Sequence, residues 1–446
     1  MAALNDPLEV KCAATGRLWM IKLTNAPKLA TAAATLALGG LLLATPAQAT
    51  SGYFSNGYGP KSKGLSGAAV ALPTGVMGIA VNPAFGTRVG NSAEMCLTVF
   101  SPNRGFTVGG AGPVTPGTYK SDNDVFFVPC GGANFRINDR STFGFTILGN
   151  GGMNTEYPAN AFTGPFVPAG PTGTAPLGVN LEQLFISASY SFDVNNRLSL
   201  GIAPTFALQR FSATGLEAFA PFSSSPGNLS NNGDDWSTGF GLNLGLVYQA
   251  SPEWMLGGAY RTKMYMSEFD RYAGLFAEQG DFDIPASLTL GAAYTPKNNS
   301  ALTLTAEYQR IFYNDVAAIA NSGAVLATPF GADNGPGFGW SDMDVVRIAA
   351  QYQANDKLTL RGGITYNSDF IESNQVLLNT LAPATIRWHA SIGATLKMDN
   401  GWDFTAAYTH AFNADKSGAN QTPGFGQPVT LSMYQNEVTF GFSRAW

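Results

Sequence analysis

Charge is scarce in this chain of 446 residues: Asp, Glu, Lys and Arg together make up 12% of it, about half the share of an ordinary soluble domain. Long apolar runs are missing as well. Beyond residue 49 no stretch approaches the roughly 18 consecutive apolar residues of a membrane-spanning helix. Overall hydropathy is close to neutral, which excludes a helical membrane protein of this size. There are two histidines, His389 and His410, and three cysteines, Cys12, Cys96 and Cys130; none has the spacing of a metal site. No G-x-S-x-G elbow or serine–histidine constellation stands out. A hydrolase is therefore disfavoured, and neither cofactor nor metal is expected. A net charge of −5 gives no basis for binding nucleic acid.

Glycine, at 52 residues, and aromatics, at 12%, are plentiful. From about Glu94 onward one theme repeats: an alternating stretch, then a turn, then another such stretch. Leu198, Leu200, Ile202, Phe206 and Leu208 alternate with Ser199, Gly201, Ala203, Thr205, Ala207 and Gln209. The same holds for Leu302, Leu304, Ala306 and Tyr308, for Ile386, Trp388, Ala390, Ile392 and Leu396, and for Trp402, Phe404, Ala406 and Tyr408. The last strand, Glu437 to Trp446, puts Val438, Phe440 and Phe442 on one face and ends on an aromatic. Short turns fall near 138–140, 193–196, 250–252, 296–299, 354–356 and 398–400. Long Gly/Pro/Ser/Asn-rich segments fall near 106–121, 153–179, 211–234, 267–281, 314–340, 368–383 and 413–431. Six short and seven long connections in strict alternation join about fourteen strands. The expected fold is all-β, a transmembrane antiparallel β-barrel over residues 93–446 with both ends in the periplasm. Tyr190, Phe192, Tyr248, Trp254, Tyr294, Tyr352 and Trp402 lie near turns, as an interfacial girdle requires.

Lys22 and Lys28 precede an apolar stretch from Leu29 to Ala44, and Pro46-Ala47-Gln48-Ala49 follows as an A-x-A cleavage site. Residues 1–49 read as a secretory signal peptide, with 1–19 as an upstream extension if translation starts at Met20. Cleavage removes Lys11, Arg17, Lys22 and Lys28 together with Asp6 and Glu9, taking the net charge from −5 to −7. Cys12 leaves too. Cys96 and Cys130 fall on the first two expected strands, in a compartment that permits disulfides; the sequence leaves their pairing open.

Residues 50–92 do not alternate. Small and Gly-rich from Ser51 to Ala68, they lead to Asn82-Pro83-Ala84, where Asn82 reads as an N-cap and Pro83 as the first helical position. This stretch is too compact in composition for a free tail, and inside the barrel it would fill the hole. With that segment, the strand count and the C-terminal aromatic, the chain resembles the FadL-type outer-membrane transporters of hydrophobic compounds. The resemblance implies that residues 50–92 are a hatch closing the lumen. It also gives meaning to the third strand, where Phe143, Phe145 and Ile147 alternate before Gly149-Asn150-Gly151-Gly152 interrupts. Glycines permit a bulge there. The family's third strand kinks inward and opens a gap in the wall; the other reading is that 149–152 begins the external loop.

The implied path runs from external loops (Phe162, Phe166, Val167 and Leu177; Val325, Leu326 and Phe330) to a pocket beside the hatch, then sideways through Gly149–Gly152 into outer-membrane lipid. Arg261, Lys263, Arg347, Arg361 and Arg387 fall on expected lumen faces. One of them would hold a fatty-acid carboxylate, or all of them pair with Glu307, Asp403 and Glu437. Expected partners are a hydrophobic small molecule, outer-membrane lipids and, through the strand ending at Trp446, the barrel-assembly machinery; a monomer is expected. The competing readings are a general diffusion porin, an outer-membrane hydrolase, and a structural or adhesin barrel.

Overall fold

The computed structural model describes residues 51–162 and 176–446. The leader at 1–49, Thr50, and Phe166 and Val167 lie outside the described residues.

Among the described residues, fourteen antiparallel strands form a closed ring. In chain order they are β1 Ser92–Val108, β2 Phe126–Asn138, β3 Ser141–Tyr157, β4 Leu177–Asp193, β5 Leu198–Thr214, β6 Asp235–Gln249 and β7 Trp254–Arg261. The second half comprises β8 Ser287–Tyr294, β9 Leu302–Ile311, β10 Met343–Gln353, β11 Leu358–Asn367, β12 Trp388–Lys397, β13 Trp402–Ala419 and β14 Pro428–Ala445. Each strand pairs with its sequence neighbour. β14 closes the ring on β1, from Val108 opposite Val429 to Ser92 opposite Ala445. Closure removes the two terminal edges of the sheet, as a lipid environment demands because no water is there to satisfy edge amides.

Alternation sets the two faces of this wall. Leu244, Leu246, Leu290, Ile348, Ile364, Ile392, Phe440 and Phe442 point outward and are exposed. Small and polar residues point inward, where hydroxyls pair across strands: Thr98 with Thr439 at 2.8 Å, Ser391 with Thr409 at 2.9 Å, Thr395 with Thr405 at 2.9 Å. Aromatics gather beside the short turns; the rings of Trp254 and Tyr294, for example, lie 4.6 Å apart. Cys96 and Cys130 are directly opposed across β1 and β2 and joined by a disulfide.

The long connections pack on one another at the opposite end. Phe219 meets Phe162 at 4.9 Å and Phe330 at 5.6 Å, and Trp340 meets Tyr313 at 5.2 Å and Phe370 at 4.9 Å. Some segments read as loop are strand. β13 and β14 run well into 413–431, with a bulge between Ala411 and Ala414. Tyr157 and Leu177 are still paired. A short strand, Gly117–Lys120, folds back onto the end of β1. These stretches are rich in turn-forming residues, and pairing with an already ordered neighbour overrides that local preference.

Candidate functional site

One seam in the wall is incomplete. β2 and β3 pair from Asn138 opposite Ser141 as far as Cys130 opposite Leu148, and there the ladder stops. Beyond it, the only wall strand that Phe126–Pro129 pair with is β1, and the only one that Gly149–Tyr157 pair with is β4. The residues explain why. Pro129 lacks an amide to donate. On the facing strand the register with β4 jumps between Gly149 and Gly151, so Asn150 is the extra residue of a bulge. Gly152 has no room for a side chain: a Cβ there would lie 2.0 Å from the Leu181 carbonyl oxygen. Alternation also ends here. Leu148 to Thr155 are all buried.

The edge left where the ladder stops is taken by the start of the described chain. Phe54 forms a β-bridge with Gly151. The Ser55 amide donates to the Asn150 carbonyl at 2.8 Å, and the Gly152 amide to the Tyr53 carbonyl at 3.1 Å. Asn150 itself receives the Tyr58 hydroxyl at 2.5 Å and donates to Gln183 at 2.9 Å. Tyr313, from the loop end, donates its hydroxyl to the Ser51 carbonyl at 2.7 Å.

Residues 51–89 continue through the barrel as short helical turns and loops, nearly all buried. They bond to inward-facing side chains around the ring. The Ala69 and Val70 amides donate to Glu307 Oε2 at 2.9 and 2.7 Å. Lys63 pairs with Glu437, both about 4% exposed, and Lys61 lies 3.7 Å from Asp403. Asn82 caps the turn Pro83–Phe85 through the Ala84 amide at 3.1 Å, and its Nδ2 bonds the carbonyls of Val70 and Leu246. Glycines on inner wall positions let the segment in. A Cβ at Gly257 would meet the Val70 oxygen at 2.1 Å, one at Gly245 the Asn82 side chain at 2.1 Å, and one at Gly201 the Pro83 carbonyl carbon at 2.3 Å.

A cavity remains beside this segment, lined among others by Phe54, Tyr58, Asn243, Arg261, Glu307 and Arg347. The five basic residues singled out by inward register do not converge on it. Arg347 faces it but is committed to Glu307 at 2.7 Å, Asn56 at 3.0 Å and Gln309 at 2.9 Å. Lys263 pairs with Asp283 at 2.8 Å. Arg387 lies 3.4 Å from Asp369, beside Ser368 and Lys416. Arg361 donates to Gln351 and Thr395. Arg261 lies in the cavity, about 9% exposed, and no carboxylate among the described residues pairs with it. Its guanidinium donates to the Tyr58 hydroxyl at 3.0 Å, and the Phe185 ring lies 5.1 Å away. In the loop after β7, burial and then the Asp283 carboxylate push the carboxyl of Asp281 up to about 7.

Of the loop residues in the implied path, Phe162, Leu177, Leu326 and Phe330 are buried while Val325 is exposed. His389 faces inward and is buried. His410 faces the other side, its ring against Phe412 and its Nδ1 on Asn436. Inward Arg104, flanking the open seam, and Tyr58, against Arg261, are functional candidates that sequence reasoning missed. Alternation along Phe100, Arg104 and Phe106 was the available signal for Arg104.

The family described as "Outer membrane protein transport protein (OMPP1/FadL/TodX)" matches residues 41–443. The chain is 23% identical over 357 residues to a 47 kDa outer membrane protein of Pasteurella multocida, covering 74% of this chain and 80% of that one. Its fold is similar to that of the toluene transporter TodX of P. putida, with a TM-score of 0.65 and 19% identity over 88% of this chain and 99% of the other. A FadL homologue of Pseudomonas aeruginosa gives a TM-score of 0.64 at 18% identity, over 88% and 98%. A wall of strands with outward apolar rows, a family match across most of the chain, and solved relatives that are transporters rather than enzymes lead to one conclusion: the chain belongs to the OMPP1/FadL/TodX family of outer-membrane transport proteins.

Proposed function

We propose that this protein takes up hydrophobic compounds such as long-chain fatty acids by passive diffusion and releases them sideways into the outer membrane. Residues 50–92 act as the hatch and 93–446 as the barrel around it. The observation that carries this reading is the interrupted seam between β2 and β3, with its freed edge occupied by Tyr53–Ser55. A hydrophobic solute gains nothing from a water-filled pore, whereas apolar contact along the whole path draws it forward without an energy source. The aromatic loop cluster around Phe219 supplies such contact first, Phe54, Tyr58 and Val81 of a mainly polar cavity next, and lipid last. Movement of 51–58 away from Gly149–Gly152 joins the cavity to the gap.

Within the cavity Arg261 is the residue to hold a carboxylate, since Arg347 and Lys263 already have acidic partners. A second reading, a neutral monoaromatic hydrocarbon as solute, is favoured by the toluene and monoaromatic channels among the solved relatives. A general porin fits poorly with a lumen crossed by buried chain. The test is bulk at the kink: Gly151→Trp should abolish uptake of labelled oleate while the barrel still folds and keeps its heat-modifiable mobility. Normal uptake by that variant removes the sideways route.

A further inference from the structure

We infer that Arg104 is a carboxylate-recognition residue at the inner lip of the wall opening, so that the solutes leaving there are acids with an apolar body. This deepens the function proposed above and rests on its sideways route. Arg104 points inward from β1, about 3% exposed. It sits just past the last residue of β1 that pairs with β2, Phe100 opposite Phe126. The next partner of β1 on that side is the short strand, from Gly105 opposite Lys120. The segment between them, 121–125, spans the top of the opening: the Ser121 amide bonds the Arg104 carbonyl at 3.0 Å, and the Asp122 amide bonds the Glu156 carbonyl of β3 at 2.9 Å.

A guanidinium in this place is expensive unless its charge is met. Its surroundings are aromatic: Phe106, Tyr119 and Tyr157 form one ring cluster, with Phe106 4.8 Å from Tyr119 and 4.9 Å from Tyr157, and Arg104 lies 5.6 Å over Phe126. Nη2 donates to the Asn123 carbonyl at 3.0 Å, while Nε is buried with no hydrogen-bond partner. No ion pair joins Arg104 to a carboxylate among the described residues; Asp124, whose field reaches it, is exposed. A buried cation with an orphaned donor among aromatic rings suits a ligand that brings its own carboxylate and an apolar tail, because a planar guanidinium fork matches a carboxylate. The tail is then free to pass between Phe126–Pro129 and Gly149–Thr155 toward lipid while the head group is still held.

The experiment compares an acid with its neutral counterpart of the same length. A strain lacking this chain is restored with wild type, Arg104→Gln, Arg104→Lys or Gly151→Trp, and takes up labelled oleate or labelled oleyl alcohol. Arg104→Gln should lower oleate uptake about tenfold, the usual worth of one charged hydrogen bond, and spare the alcohol; Arg104→Lys should keep most oleate uptake. Equal loss of both solutes in Arg104→Gln assigns the residue a purely structural tie to Asn123 and overturns the inference, as does no loss of either. Gly151→Trp reads the route separately: it should stop both solutes, and unaffected uptake of both would overturn the sideways exit on which the lip site depends.

Discussion

Lys63 and Glu437 face each other where the helical turn Gly59–Gly64 meets β14, both almost fully buried. Removing one partner of such a pair leaves a charge stranded in the lumen, at a cost of about 3–5 kcal/mol. Glu437→Gln should therefore unseat this part of the N-terminal segment and raise ion conductance in planar bilayers. Adding Lys63→Met should return conductance toward wild type; a silent single variant contradicts the latch. Asp281 gives a pH dependence of known sign. Its folded pKa is about 7 against about 3.9 in an unfolded chain, so the folded loop binds the proton more tightly. Its contribution to loop stability is full below about pH 4, declines as the pH rises toward 7 and stays lost above that. Protease nicking of the 267–286 loop should be faster at about pH 8 than at about pH 5, and Asp281→Asn should flatten the difference. The inward register expected from alternation is met by Arg261, Arg347 and Arg361, which lie within strands, while Lys263 and Arg387 lie just outside them; which of the five lacks an acid was not legible. Glu307 is directly opposite Arg347 only because β9 and β10 adopt one particular register, and register is a property of the whole ring.

At the scale of elements, period-2 alternation and turn chemistry carried the strand count, the six tight turns and the outward rows of Leu, Ile and Phe. Gly149–Gly152 was legible as a place where pairing weakens. That β3 would lose β2 and keep β4 was not, since the decision involves Pro129 on one side and the Tyr53–Ser55 edge on the other. The disulfide belongs to this seam. Cys130 is both the partner of Cys96 and the last β2 residue to pair with β3, so the bond ties β2 to β1 where its other neighbour departs. It closes a loop of 34 residues, and its loss should cost about 2–4 kcal/mol. Replacing both cysteines with serine should lower the denaturant midpoint of the detergent-solubilised barrel by a corresponding amount. An unchanged midpoint would show that the ladder alone holds this corner.

Across the whole molecule the high glycine content has a second purpose besides turns. Gly201, Gly245, Gly257, Gly363 and Gly393 line the inner wall where residues 64–84 pack so close to the strands that no Cβ would fit. Bulkier residues at these positions would expel it. Low charge follows from the same architecture: the outer face meets lipid, and inward charges are few, with Lys61 and Lys63 of the enclosed segment paired to Asp403 and Glu437 of the wall. Among the described residues the chain is a closed barrel whose lumen is crossed by buried residues 51–89. The most direct test of that account is uptake of labelled oleate, toluene and a small sugar by a strain lacking this chain, with and without it restored. Restored entry of oleate or toluene with sugar unchanged is the predicted result, and oleate above toluene is the order that Arg261 and Arg104 require. Restored sugar entry would mean an open pore and would contradict the assignment of residues 50–92 as a hatch.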